Sequence, residues 1–141
     1  HQRGHMKRID DWPTLEEAAR KAAAGAYCPY SGFRVGAALL TDDGRIMTGC
    51  NIENASYGAT ICAERVALAA ALAAGVRNFM ALVIAAGERT PAPPCGICRQ
   101  MLAEFAAPEF PIRSVTLTPG DAPAAEYTLG ELLPHAFELR E

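Results

Sequence analysis

The stretch CAERVALAAALAAGVRNFMALVIAA, residues 62–86, decides the fold. Its first part, 62–74, predicts a helix whose only charges, Glu64 and Arg65, fall in the first turn. Beyond them stand only Val, Leu and Ala, so this helix is apolar nearly all round and is expected to be buried. Gly75, just past its end, is the residue type that closes a helix in the left-handed conformation. Residues 81–86 are a short uninterrupted apolar run and predict a buried strand.

Working outward, strands and helices alternate. Upstream, Thr14 and Glu17 have the spacing of a capping box and predict a helix over 15–24. Pro29, Ser31 and Gly32 break the chain. Residues 33–40 predict a buried strand, Asp42-Asp43-Gly44 a turn, and 45–50 a hairpin partner. Residues 51–58 are polar and irregular. Downstream come a Pro-rich loop at 90–94, a helix over 98–106, a strand over 114–118 and a helical tail over 129–137. The alternation predicts an α/β fold with helices on both faces of one sheet.

Composition narrows the function. The 141 residues are half apolar and 21% charged, which excludes a charged disordered segment. Their length fits a single domain, read here as residues 6–141. Residues 1–5 read as an expression-tag remnant ahead of a native Met6, with no apolar core of a secretory signal behind them. A net charge of −3 gives no basic footprint for nucleic acid. The longest apolar run, 66–76, is well short of the ~20 residues a membrane span needs. The expected location is the cytoplasm. There the five cysteines, Cys28, Cys50, Cys62, Cys95 and Cys98, suggest metal or catalytic use over disulfides.

Two motifs stand at helix starts: Cys62-Ala63-Glu64-Arg65 and Pro94-Cys95-Gly96-Ile97-Cys98-Arg99-Gln100. Cys95 and Cys98 alone fit a redox pair, a structural zinc or a catalytic zinc. Adding Cys62 and Glu64 favours the last, because a catalytic zinc takes three protein ligands and leaves a fourth position for water. Cys28 or Cys50 as a fourth ligand would instead close the site. Thiolates at helix N-termini are favoured by the dipole and the free amides. Glu64 lies two residues from a ligand, within reach of the reacting water without ligating the metal. Arg65, and also Arg99, can offset the negative charge of three thiolates.

These motifs resemble the zinc deaminase signature, cysteine-x-glutamate followed by proline-cysteine-x-x-cysteine. Three further segments, CPYSGFRVGAA (28–38), GCNIENASYG (49–58) and LLPHAF (132–137), resemble the short cytidine deaminases acting on free nucleosides. The resemblance runs from about residue 15 to 137. It implies a three-layer α/β/α fold with one mixed central sheet of about five strands. It implies that Cys62, Cys95 and Cys98 hold one Zn²⁺ and that Glu64 is the general acid/base. It implies that Asn51 and Glu53 bind the ribose hydroxyls and that Phe33 packs on the pyrimidine. Backbone groups around Ala63 would read the ring, Arg65 would hydrogen-bond the ligand thiolates, and Phe137 would reach a neighbouring subunit's site in a homotetramer. The implied reaction converts cytidine and 2'-deoxycytidine to uridine and 2'-deoxyuridine. A deaminase of a related aminopyrimidine nucleoside such as blasticidin S, and a structural-zinc interaction module, are the alternatives. Nucleic acid and membrane are not expected partners.

Overall fold

The computed structural model describes residues 11–139. The segment read as a tag remnant, with Met6, lies outside them. In chain order the elements are α1 (Trp12–Ala23), β1 (Val35–Thr41), β2 (Ile46–Cys50), α2 (Ala63–Ala73), β3 (Phe79–Ala86), α3 (Gly96–Ala103), β4 (Pro111–Val115), β5 (Ala125–Thr128) and α4 (Leu129–Leu132). One sheet runs in the order β2-β1-β3-β4-β5. β1 is antiparallel to both β2 and β3, β3 is parallel to β4, and β4 is antiparallel to β5. The mixed, five-stranded α/β sheet is the one expected.

Side-chain alternation along the strands divides the core in two. Ala37, Leu39, Leu82, Ile84 and Ile112 face α2 and α3, where they pack on Ala67, Leu68, Ala71 and Leu102. Ala38, Ala81, Val83, Ala85 and Val115 face α1, where they pack on Leu15 and Ala19. With period 2 in a strand, each strand feeds both layers, which is why β3 reads as unbroken apolar sequence. Arg113 of β4 fastens α1 from below. It pairs with Glu16 at 2.8 Å and lies 4.2 Å over the Trp12 ring.

Topology positions the site. Because β1 is antiparallel to both neighbours, β2 and β3 run the same way, and α2 and α3 each follow one of them. Both helices therefore begin at one end of the sheet. Two glycines let the helices lie close. A Cβ on Gly36 would meet Ala19 O of α1 at 1.9 Å, and one on Gly49 would meet Ala63 O and Ala67 N of α2 at 2.5 and 2.6 Å.

Several boundaries differ from the sequence-based expectation. α1 starts at Trp12, with Pro13 in its first turn and Asp11 as the N-cap, so Thr14 is inside the helix and caps nothing. Proline is compatible with a helix start, where its missing N–H would be unpaired anyway. The capping box actually formed is Thr128–Glu131, opening α4. That helix is a single turn, not a tail over 129–137, because Pro134 cannot continue it. α3 begins at Gly96, earlier than expected, with Cys95 as its N-cap. β4 begins at Pro111 and ends at Val115 instead of spanning 114–118, proline being tolerated as a strand's first residue. β5 is an edge strand with no expected counterpart of its own. α2 ends as expected, with Gly75 N–H on Leu72 O and Val76 N–H on Ala71 O. Its burial is one-sided, however. Ala63, Ala67, Leu68 and Ala71 are buried, while Ala69, Ala70 and Ala73 are exposed.

The close approach of α1 makes Gly36 intolerant of any side chain. Gly36→Ala is expected to lower stability by at least about 2 kcal/mol, because backbone atoms must move. Gly58→Ala, with nothing within 4 Å of the added Cβ, is expected to stay within about 0.5 kcal/mol. Urea unfolding of both variants checks this.

Candidate active site

Three sulfurs meet where α2 and α3 begin. Cys62 is the N-cap of α2, Cys95 the N-cap of α3, and Cys98 lies in the first turn of α3. The Cys62 and Cys95 Sγ atoms are 3.6 Å apart, those of Cys95 and Cys98 3.4 Å, and all three lie within 4.8 Å of one another. Sulfurs about 2.3 Å from one tetrahedral zinc would sit about 3.8 Å apart, so the donor set fits that ion. Among the described residues this is the one such group, and neither Cys28 nor Cys50 belongs to it. All five cysteines are free thiols.

The three sulfurs interact electrostatically. The Cys62 thiol is lowered to about 5, first because Cys98 hydrogen-bonds to it, with Cys95 and Arg65 helping against burial. Cys98 is pushed up, first by that shared hydrogen bond and then by burial. A metal ion would displace the shared protons, because thiolates are the ligating form.

Glu64 follows one residue inside α2 and is buried, at 6% exposure. Burial pushes its carboxyl up to about 7, and the charge of Cys62 adds to this. Its own backbone N–H, Cys98 and Arg65 pull the other way. A carboxyl poised near neutrality both accepts and donates a proton.

Arg65 is held above its ordinary value: burial lowers it, and the neighbouring Cys62 and Cys98 sulfurs outweigh that; its Nη2 donates to Thr60 O at 3.1 Å. Among the described residues its buried Nε has no hydrogen-bond partner. Arg99 is spent differently. It donates to Pro94 O at 2.7 Å and to Leu132 O at 2.9 Å, fastening the turn before Cys95 and tying α4 to α3.

The same end of the sheet gathers the other expected residues. Phe33 precedes β1, and Asn51 and Glu53 follow β2, its antiparallel neighbour. Asn51 is buried; its Oδ1 accepts from Val35 N at 3.0 Å and its Nδ2 donates to Phe33 O at 2.8 Å. Glu53 accepts from Tyr30 N at 2.9 Å, Ser31 N at 3.2 Å and the Ser31 hydroxyl. Phe33 is 47% exposed, and Ala63 is fully buried at the first position of α2. Phe137 is 70% exposed, with its carbonyl anchored by Gln100 of α3 at 3.2 Å. Ser31 was legible in sequence only as a chain breaker, although Ser-Gly after proline also signals a side-chain-to-backbone turn.

Residues 12–114 match the family model of the cytidine and deoxycytidylate deaminase zinc-binding region. The chain is 47% identical over 129 residues to a cytidine deaminase of Mycobacterium tuberculosis, covering 92% of this chain and 91% of that protein. It is 50% identical over 127 residues to a cytidine deaminase of Sporosarcina psychrophila, covering 90% and 91% respectively. It resembles the crystal structure of cytidine deaminase from Burkholderia pseudomallei, with a TM-score of 0.83 and 46% identity, covering 89% of this chain and 98% of that one.

The raised carboxyl of Glu64 has a consequence for zinc-free protein. Between pH 4.5 and 7 the folded chain keeps a proton on Glu64 that the unfolded chain has released, so this residue's contribution to stability falls as pH rises. Glu64→Gln removes that cost. The variant should match the parent below about pH 4.5 and exceed it above pH 7, by on the order of 3 kcal/mol. Urea midpoints in chelator across this range test the sign.

Proposed function

The chain belongs to the cytidine and deoxycytidylate deaminase family, and from that premise we propose that it hydrolyses cytidine and 2'-deoxycytidine to uridine and 2'-deoxyuridine, releasing ammonia. The observation that carries this reading is Glu64, buried at the start of α2 beside three sulfurs spaced for zinc.

Cys62, Cys95 and Cys98 hold the metal. Bound zinc supplies a Lewis acid that lowers the pKa of water. Glu64 takes a proton from the attacking water and delivers it to ring N3. The water oxygen adds at C4 as a hydroxyl, Glu64 then takes the remaining hydroxyl proton and passes it to the exocyclic nitrogen, and the C4–N bond breaks as C4=O forms, releasing ammonia. A single buried carboxyl beside the reacting atoms can both take and return protons in this shuttle. Arg65 compensates the sulfur charge and orients the ligands.

The substrate is held by the rim of the same sheet end. Asn51 and Glu53 take the ribose hydroxyls, Phe33 packs on the pyrimidine, and backbone groups around Ala63 read the ring. Asn51 already serves two backbone groups, so it has one N–H and one lone pair left for a ligand.

The active unit is a single domain over residues 6–141 that assembles as a homotetramer, with Phe137 reaching a neighbouring site. Supporting this are the uncovered Ala69, Ala70 and Ala73 face of α2, where small side chains allow close backbone approach, and the exposed Tyr57, Phe137 and Leu139. The setting is pyrimidine salvage in the cytoplasm. Free thiols suit a reducing compartment, and among the described residues no helix is long and apolar enough to cross a membrane.

Loss of cytidine absorbance with release of ammonia is the direct assay, run beside 2'-deoxycytidine, free cytosine and blasticidin S. Glu64→Ala should lower kcat by about 10²–10⁴-fold with zinc still bound one per chain; a wild-type rate would overturn the mechanism. Sedimentation should give a tetramer. Phe137→Ala should weaken nucleoside binding, and a fully active monomer would refute the shared site.

A further inference from the structure

We propose that Ser31 is a positioning residue for the substrate, fixing the Glu53 carboxylate and the Phe33 ring relative to one another. This rests on the reading of Glu53 and Phe33 as substrate contacts.

A serine hydroxyl has one proton and two lone pairs. Ser31 gives its proton to Glu53 Oε2 and accepts the Phe33 N–H at 3.0 Å. One oxygen atom thereby joins the two groups that face the ligand. The other carboxylate oxygen, Oε1, accepts from Tyr30 N and Ser31 N. Three donors from two adjacent residues thus set the carboxylate in one orientation. A carboxylate offers about four lone-pair directions, so one acceptor direction is left for a ligand hydroxyl. The Ser31 hydrogen bond is also the largest influence holding the Glu53 carboxyl below its ordinary value, so the group stays a charged acceptor.

Phe33 is fixed from both sides. Its N–H is held by Ser31 and its carbonyl by Asn51. The residue is half exposed, so packing alone does not hold it, and the backbone ties decide where it is presented. Loss of the hydroxyl leaves these groups open to water, while the loop stays closed by Gly32 N–H on Cys28 O at 2.9 Å and Glu53 N–H on Tyr27 O at 2.8 Å. Ser31→Ala should therefore fold and keep its zinc, but hold both substrate contacts loosely.

The test uses full-length zinc enzyme with Ser31→Ala, Ser31→Thr, Glu53→Gln and the Ser31→Ala/Glu53→Gln pair. Readouts are kcat and KM for cytidine, and calorimetric binding of uridine. Ser31→Ala should raise KM and the uridine Kd about tenfold, the loss of one hydrogen bond to a charged group, with kcat within about twofold. Ser31→Thr, which keeps the hydroxyl, should restore both. The pair should show less than the sum of its single effects, since contacting residues couple. Ser31→Ala without effect on KM and Kd, failure of the threonine to rescue, or full additivity would overturn the proposal. If Glu53→Gln raises KM and Kd while Ser31→Ala does not, the substrate reading stands and the Ser31 role falls. If Glu53→Gln itself changes neither, both fall.

Discussion

The constraint on which the rest depends is the placement of two helix N-termini at one end of the sheet. β1 lies antiparallel between β2 and β3, which makes those two strands run in the same direction. The helix that follows each must then start at the same edge. Helix starts carry unpaired amides and the positive end of the dipole, so they favour thiolate and carboxylate there. Cys62, Cys95, Cys98 and Glu64 all occupy the first turn or cap of α2 or α3. The packing serves this placement. Gly49 allows the start of α2 to rest on β2 with backbone atoms 2.5 Å from where a Cβ would be. A side chain there would move the helix end that bears Cys62 and Glu64.

The same edge also receives the chain entering β1 and leaving β2, and here polar groups do the work that apolar packing does in the core. Asn51 is buried, yet its amide is satisfied by Val35 and Phe33 backbone atoms. Glu53 gathers the Tyr30–Ser31 turn. Bridges between Tyr27 and Ile52 and between Ile52 and Ile61 run this network on to the residue before Cys62. The rim is therefore continuous with the metal donors. A buried amide with one free proton and a carboxylate with one free lone pair are stiff, directional groups. Binding then costs little reordering, which is the physical meaning of preorganisation.

Much of this was legible in sequence because its signals are local. The cysteine and glutamate spacings need only helix geometry to be read. α2 and β3 announce themselves by apolar runs long enough to fix their type, and Asp42-Asp43-Gly44 marks the hairpin. What was not legible depends on competition between local signals. Thr14–Glu17 and Thr128–Glu131 have the same pattern, but Asp11 and Pro13 start α1 earlier and leave only the second pair at a helix start. β5 has four residues and lies on an edge, so neither length nor a buried face marks it; the fifth strand was implied by family resemblance alone. The ends of β4 moved because a strand can begin on Pro111. Asn51 and Glu53 were legible as polar loop residues and family matches, whereas their hydrogen bonds across 16 to 23 positions of sequence were not.

The one-sided burial of α2 carries the argument from the site to the surface. A helix with charge only in its first turn has no polar face to give to water, and in the isolated chain Ala69, Ala70 and Ala73 are nevertheless exposed. The first turn belongs to the site: Glu64 and Arg65 stand beside the sulfurs at the buried end. Charge on the outer face would help solubility and do no harm to the sheet-facing side, so its absence is not required by the core. Small side chains on that face instead minimise both the entropy lost and the distance reached when another backbone packs against it. The helix that presents Cys62 and Glu64 is gripped on one side by the sheet, where Gly49 lets it lie close, and its outer face carries no charge. Loosening that contact would be felt at the carboxyl of Glu64.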